Sequence, residues 1–127
     1  MSLDAPPLVL LVDDEILIQD LLAEALADAG YRVRAVQNGE AALRFLEGPE
    51  APRAMVTDIN LGRGASGWEV ARRGRERAAN LAVVYVSGGN PQDWASLGVP
   101  GSTMITKPFA PGQIVTAVCA LLNAAET

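Results

Sequence analysis

The chain has 127 residues, half of them apolar, with ten basic against fifteen acidic side chains, no histidine and a single cysteine. That length suits one domain burying about two-thirds of its unfolded surface, and the apolar content excludes a disordered chain. A net charge of −5 argues against general nucleic-acid binding, the missing histidine excludes a Ser-His-Asp triad, and one cysteine excludes an internal disulfide and the usual zinc ligand sets.

Residues 1–7 read as a loose leader, because Pro6-Pro7 cannot join a central ladder. Leu8–Val12 (LVLLV) is continuously apolar, the pattern of a parallel strand buried on both faces. Asp14 or Glu15 can start the next helix, since acids favour an N-terminal turn. Its apolar face is expected to comprise Leu17, Leu21, Leu22, Ala25, Leu26 and Ala29, opposite Gln19, Asp20, Glu24 and Asp28, with Gly30 just past its end. Residues 31–36 alternate, Arg32 and Arg34 opposing Tyr31 and Val33, which predicts an edge strand. Asn38 can cap a short helix that Gly48-Pro49 stops.

Ala54–Asp58 (AMVTD) is a second doubly buried strand, followed by a loop over 59–67 whose three glycines make it mobile or tightly turned. A helix follows over 68–79, with Trp68 packing at its start and Gly74 costing roughly 1 kcal/mol relative to alanine. The arginines 72, 73, 75 and 77 read as a solvated face of this helix. Residues 81–86 (LAVVYV) form a further central strand that runs into Ser87-Gly88-Gly89. Asn90-Pro91 can cap a short helix over Gln92–Leu97, on which Trp94 is either core or an exposed anchor. Residues 98–101 close that helix, 102–106 make a short strand, and 114–122 a last amphipathic helix in which Cys119 is expected to pack.

Five strands alternating with five helices demand a parallel sheet with helices on both faces. An edge character for the second strand fits the flavodoxin-like (βα)5 order 2-1-3-4-5. One domain is expected over 1–127, with its core at about 8–122, and neither repeat nor linker interrupts it. No stretch approaches the roughly 20 apolar residues of a membrane span. The first apolar run is too short for a signal peptide, so a cytoplasmic setting without membrane or nucleic-acid partners is the expectation.

In such a sheet, Asp13-Asp14-Glu15, Asp58, Ser87 and Lys107 all follow strands and meet at the carboxyl edge, where open α/β sheets hold ligands. Carboxylates 4–5 Å apart repel by roughly 3–4 kcal/mol at an effective dielectric of 20, a conflict that a divalent cation removes. Oxygens from Asp14 and Asp58, a loop carbonyl and water would suit Mg²⁺. Lys107 is the chain's only lysine and offers a mobile point charge for a phosphoryl group. Ser87 adds a hydroxyl, and Gly88-Gly89 leave backbone N–H groups open to an anion. A carboxylate attacks phosphorus without a general base, which allows this chemistry in a chain lacking histidine.

With Asp13-Asp14, Asp58, Ser87-Gly88 and Lys107-Pro108-Phe109 in this order, the chain resembles a response-regulator receiver domain of two-component signalling, of the CheY-like type, from about Leu8 to Leu122. The resemblance implies that Asp58 accepts a phosphoryl group from a phosphohistidine on a histidine kinase or histidine phosphotransfer protein, changing contacts with an output protein. It implies Mg²⁺ held by Asp14, Asp58 and the main chain of Asn60, with Asp13 supporting. It implies also that Ser87, Gly88 and Lys107 contact the phosphate and that Lys107–Pro108 is cis. Such a domain catalyses only its own phosphorylation and dephosphorylation.

Three features depart from the family pattern. Met104 occupies the switch position, where an aromatic residue is usual; the loop after Asp58 lacks Met-Pro and is longer; and the fourth helix is short and glycine-flanked. Partner choice is expected to involve the first helix and the surface of the fourth helix, fifth strand and fifth helix. Alternatives are the same module excised from a hybrid kinase or larger regulator, a small Mg²⁺-dependent phosphohydrolase with Asp13 as nucleophile, an FMN-binding domain, and a phosphate-independent scaffold. The acids after the first strand would repel an FMN phosphate, and the phosphohydrolase leaves Asp58 unexplained.

Overall fold

A computed structural model of the chain describes residues 6–89 and 92–126. The elements run β1 (Leu8–Val12), α1 (Ile16–Asp28), β2 (Arg32–Val36), α2 (Gly39–Glu47), β3 (Ala54–Asp58), α3 (Gly67–Arg77), β4 (Ala82–Ser87), α4 (Gln92–Leu97), β5 (Thr103–Thr106) and α5 (Pro111–Glu126). All neighbouring strands pair in parallel, in the order β2-β1-β3-β4-β5. This is the flavodoxin-like arrangement expected from the strand patterns.

Because side chains alternate along a strand, the sheet supports one core on each face. Leu10, Val12, Met55, Val83 and Tyr85 pack with Ala42 and Leu46 of α2 and Val70 and Ala71 of α3. Val9, Leu11, Val56, Val84 and Val86 pack with Leu22 and Leu26 of α1 and Ile114, Val118 and Leu122 of α5. Every residue of β1, β3 and β4 is buried, whereas Arg32 and Arg34 of edge strand β2 are exposed. Arg34 reaches Glu50 at 3.3 Å and lies 5.3 Å from the Phe45 ring centroid. Among the described residues no helix is long and apolar enough to cross a membrane.

Local signals act as expected at most ends. Asn38 Oδ1 accepts from Ala41 N at 2.8 Å, Ser66 Oγ from Glu69 N at 3.3 Å, and Gly30 leaves α1 at φ 101°. The Asn90-Pro91 cap lies outside the described residues, as do residues 1–5 of the leader. Of the arginines on α3, Arg73 pairs with Glu47 and Glu76, while Arg75 and Arg77 donate to the carbonyls of Leu81 and Leu46. They staple the helix to its neighbours besides solvating it.

Two expectations fail. Leu17 and Leu21 are exposed, and the buried stripe of α1 runs through Gln19, Leu22 and Leu26. Gln19 displaces them because its Nε2 donates to the carbonyls of Asp13 (3.1 Å) and Val36 (2.9 Å), satisfying two strand ends. Cys119 is exposed rather than packed. The buried stripe of α5 passes through Ile114, Val118 and Leu122, and position 119 falls one residue round the helix.

Helix α4 has no buried residue. What fixes the segment after it is Tyr85, fully buried on β4, whose hydroxyl accepts from Val99 N at 3.1 Å. Trp94 stands partly exposed, donating through Nε1 to Ser102 Oγ at 2.9 Å. Replacing Tyr85 by phenylalanine removes the acceptor and leaves a buried N–H unpaired. Tyr85→Phe is expected to lower unfolding free energy by about 1–3 kcal/mol, read from the urea midpoint; an unchanged midpoint would show that Val99 finds another partner.

Candidate functional site

Strand register builds the site. Val12 pairs with Thr57, so Asp13 and Asp58 leave the sheet side by side. Ser87 pairs with Thr106, and Lys107 N donates to Ser87 O at 2.8 Å, which brings the hydroxyl and the ammonium to the same edge. Lys107–Pro108 is cis. Asp13, Asp58 and Ser87 are buried, Asp14 and Glu15 exposed. One oxygen from each of Asp13, Asp14, Glu15 and Asp58 lies within 4.8 Å of the others.

Lys107 Nζ donates to Asp58 Oδ2 and Glu15 Oε1, both at 3.1 Å. Asn60 N donates to Asp58 Oδ1 at 3.1 Å, so each oxygen of that carboxylate has a partner. Glu15 N donates to Asp13 Oδ1 at 2.8 Å, and Gly89 N to Ser87 Oγ at 3.0 Å. Asp14, Glu15, Asp58, Asn60, Ser87 and Lys107 line a cleft of about 620 Å³, with Gly88 and Gly89 on its rim. A Cβ at Gly88 would make only an ordinary 3.8 Å contact with Lys107. Met104, on β5, is half-buried against the same core as Tyr85.

Two lining residues carried no signal of a site in the sequence. Trp68 forms one wall from the start of α3, its ring 4.7 Å from that of Tyr85. Asp93, on α4, also lines the cleft and adds a further acid to it. Both stand at helix starts, where sequence pattern reads only capping and packing.

Burial pushes the Asp13 carboxyl from 3.8 up to about 6; the Glu15 N–H opposes this, and the Asp58 and Asp14 charges add to it against Lys107. Burial works to depress the Lys107 ammonium, but its bonds to Asp58 and Glu15 outweigh that and raise it above its ordinary value. Two like charges at 4.8 Å repel by about 3–4 kcal/mol at an effective dielectric of 20. One ammonium cannot neutralise four clustered carboxylates. Their oxygens are hard donors, and they fit a hard divalent cation better than a soft metal.

The sequence profile of the response regulator receiver domain matches residues 9–119. The chain is 31% identical over 119 residues to the phosphate regulon transcriptional regulatory protein PhoB of Pseudomonas aeruginosa, covering 91% of this chain and 51% of that protein. It is 31% identical over 119 residues to the transcriptional regulatory protein ResD of Bacillus subtilis, covering 93% and 49%. The chain thus spans about half the length of these curated relatives. A crystal structure of a response regulator receiver protein from Sinorhizobium medicae superimposes with a TM-score of 0.92 at 43% identity, over 98% of this chain and 99% of that one. The receiver domain of the sensor histidine kinase PA1611 from P. aeruginosa, with a magnesium ion coordinated in its active site cleft, shares the fold at 22% identity and a TM-score of 0.79, over 94% and 99%.

A carboxyl raised on folding binds more protons folded than unfolded between pH 3.8 and about 6, so its stabilisation is present below that window and lost as pH rises through it. Asp13→Asn is therefore expected to stabilise the metal-free protein at pH 7 by about 2–3 kcal/mol and to add nothing near pH 4. Chelator-treated samples unfolded in urea at both pH values check this. Equal gains at both, or a loss at pH 7, would contradict the electrostatic assignment.

Proposed function

The chain belongs to the response regulator receiver domain family, and from that premise we propose that Asp58 is its phosphoacceptor, taking a phosphoryl group from a phosphohistidine on a histidine kinase or histidine phosphotransfer protein. The family is a signalling one, and the domain is a receiver of two-component response regulators. One observation carries the proposal: Asp58 is buried at the end of β3, bonded on one oxygen to Lys107 and on the other to Asn60 N, and borders an open cleft.

An Asp58 oxygen attacks phosphorus; the new O–P bond forms as the N–P bond of the donor breaks, and the electron pair returns to the imidazole. A carboxylate attacks phosphorus without a general base. Lys107, 3.1 Å from Asp58, is placed to follow the charge onto a phosphoryl oxygen. Ser87 Oγ accepts from Gly89 N, leaving its own proton to donate to a second oxygen, while the Gly88 amide approaches from the rim. Asp14, Asp58 and the main-chain carbonyl of Asn60 would hold Mg²⁺, with Asp13 behind them. When bound, the cation neutralises the clustered carboxylates and the incoming phosphoryl charge. Rearrangement of Lys107 and Ser87 then reaches β5, where Met104 can repack without an aromatic ring.

Intact-mass analysis after incubation with Mg²⁺ and a small phosphodonor tests this. One labile phosphoryl adduct is expected, lost without Mg²⁺ and lost in Asp58→Ala. No adduct, under conditions that label another receiver, would favour a phosphate-independent scaffold.

A further inference from the structure

The loop between β3 and α3 carries the Asn60 backbone past the Asp58 carboxylate, and its own sequence does little to hold it there. Gly62 and Gly64 both have left-handed backbones, at φ 78° and 88°. A segment so rich in glycine loses more conformational entropy on ordering than an ordinary loop. At its near end Ile59 N donates to Val86 O (3.1 Å), and Gly67 N donates to Ile59 O (2.9 Å), closing the two ends of the loop on each other. Just before Gly67 the loop is also held by a different element.

There, Glu40 Oε1 of α2 accepts from Ala65 N at 2.9 Å, across 25 residues of chain. The backbone is built for that approach. A Cβ at Gly39 would lie 2.2 Å from the Ala65 carbonyl oxygen, and one at Gly64 would lie 2.5 Å from Glu40 Oε1. The backbone contact at Gly39 admits only glycine, while Gly64 is favoured by its left-handed φ of 88° as well as by the nearness of the Glu40 side chain. Leu61 and Ala65 are buried in the core that α2 and α3 share, so the loop is pinned by two apolar side chains and one carboxylate. Asn60 sits between the two pinned ends, with its N–H on Asp58 Oδ1.

We propose that Glu40 is a positioning residue for the Asp58 site: its carboxylate holds the Ala65 amide so that the Asn60 main chain stays beside Asp58, preorganised for a cation. The proposal rests on the phosphoacceptor reading. Glu40 is not among the residues lining the cleft, so its effect passes through the loop backbone. An acid in the first turn of α2 also favours the helix dipole. That role alone would not require the glycine contacts or the bond to a distant amide.

The test uses the full chain with Glu40→Ala, which removes the acceptor, and Glu40→Gln, whose side-chain oxygen can still accept. Mg²⁺ is titrated into the unphosphorylated protein and followed by tryptophan emission, since Trp68 lines the cleft. Amide hydrogen exchange at Ala65 is measured without metal. Glu40→Ala is expected to raise the Mg²⁺ midpoint about fivefold, the equivalent of one hydrogen bond, and to speed Ala65 exchange. The labelling rate at saturating Mg²⁺ is expected to stay unchanged, and Glu40→Gln to keep the wild-type midpoint. An unchanged midpoint in Glu40→Ala, equal losses in both variants, or loss of the fold would overturn the role. A wild-type chain with no Mg²⁺ midpoint would instead remove the phosphoacceptor reading, and the function of Glu40 with it.

Discussion

Mutual repulsion among the carboxylates at the sheet edge is the constraint around which this structure is arranged. Parallel pairing brings every strand's carboxyl end to one side, and the register of β1 on β3 puts Asp13 next to Asp58. Relief comes from Lys107, bridging Asp58 and Glu15, and from N–H groups of Glu15 and Asn60 aimed at Asp13 and Asp58. Burial is the main cause of the raised proton affinity of Asp13, and the Asp58 and Asp14 charges add to it. A site left short of positive charge is one prepared to gain it.

The rest of the fold makes that tension tolerable. Two apolar cores, one on each face of β1, β3 and β4, fix the strands behind the acids. Gln19 ties the ends of β1 and β2 through the carbonyls of Asp13 and Val36. Tyr85 links the segment after α4 to the centre of the sheet, and its ring meets Trp68 at the cleft wall. Local rules are broken where the chemistry is placed and obeyed elsewhere, the usual division between site and scaffold.

The architecture was legible because its signals are strong and redundant. Continuous apolar runs marked β1, β3 and β4, the alternating arginines marked edge strand β2, and Asn38 and Gly30 marked helix ends. The spacing of Asp13, Asp58, Ser87 and Lys107 behind strands was enough to gather them at one place. What escaped was decided by tertiary contact. Helix α1 is apolar at Ile16, Leu17, Ile18, Leu21 and Leu22, so periodicity alone cannot choose its buried side, and a polar residue, Gln19, takes it by bonding strand carbonyls. Cys119 has apolar neighbours in sequence yet falls off the buried stripe of α5. The roles of Trp68, Asp93 and Glu40 depend on loops whose paths no local pattern encodes.

Of the clustered carboxylates, Asp58 is the one we propose as carrier of the phosphoryl group. Borohydride reduces an acyl phosphate to the alcohol, so trapping the labelled chain and mapping its peptides reads the position directly. Reduction is expected at Asp58, with Asp13, Asp14 and Asp93 intact. Reduction at any of those three, with Asp58 unmodified, would contradict it.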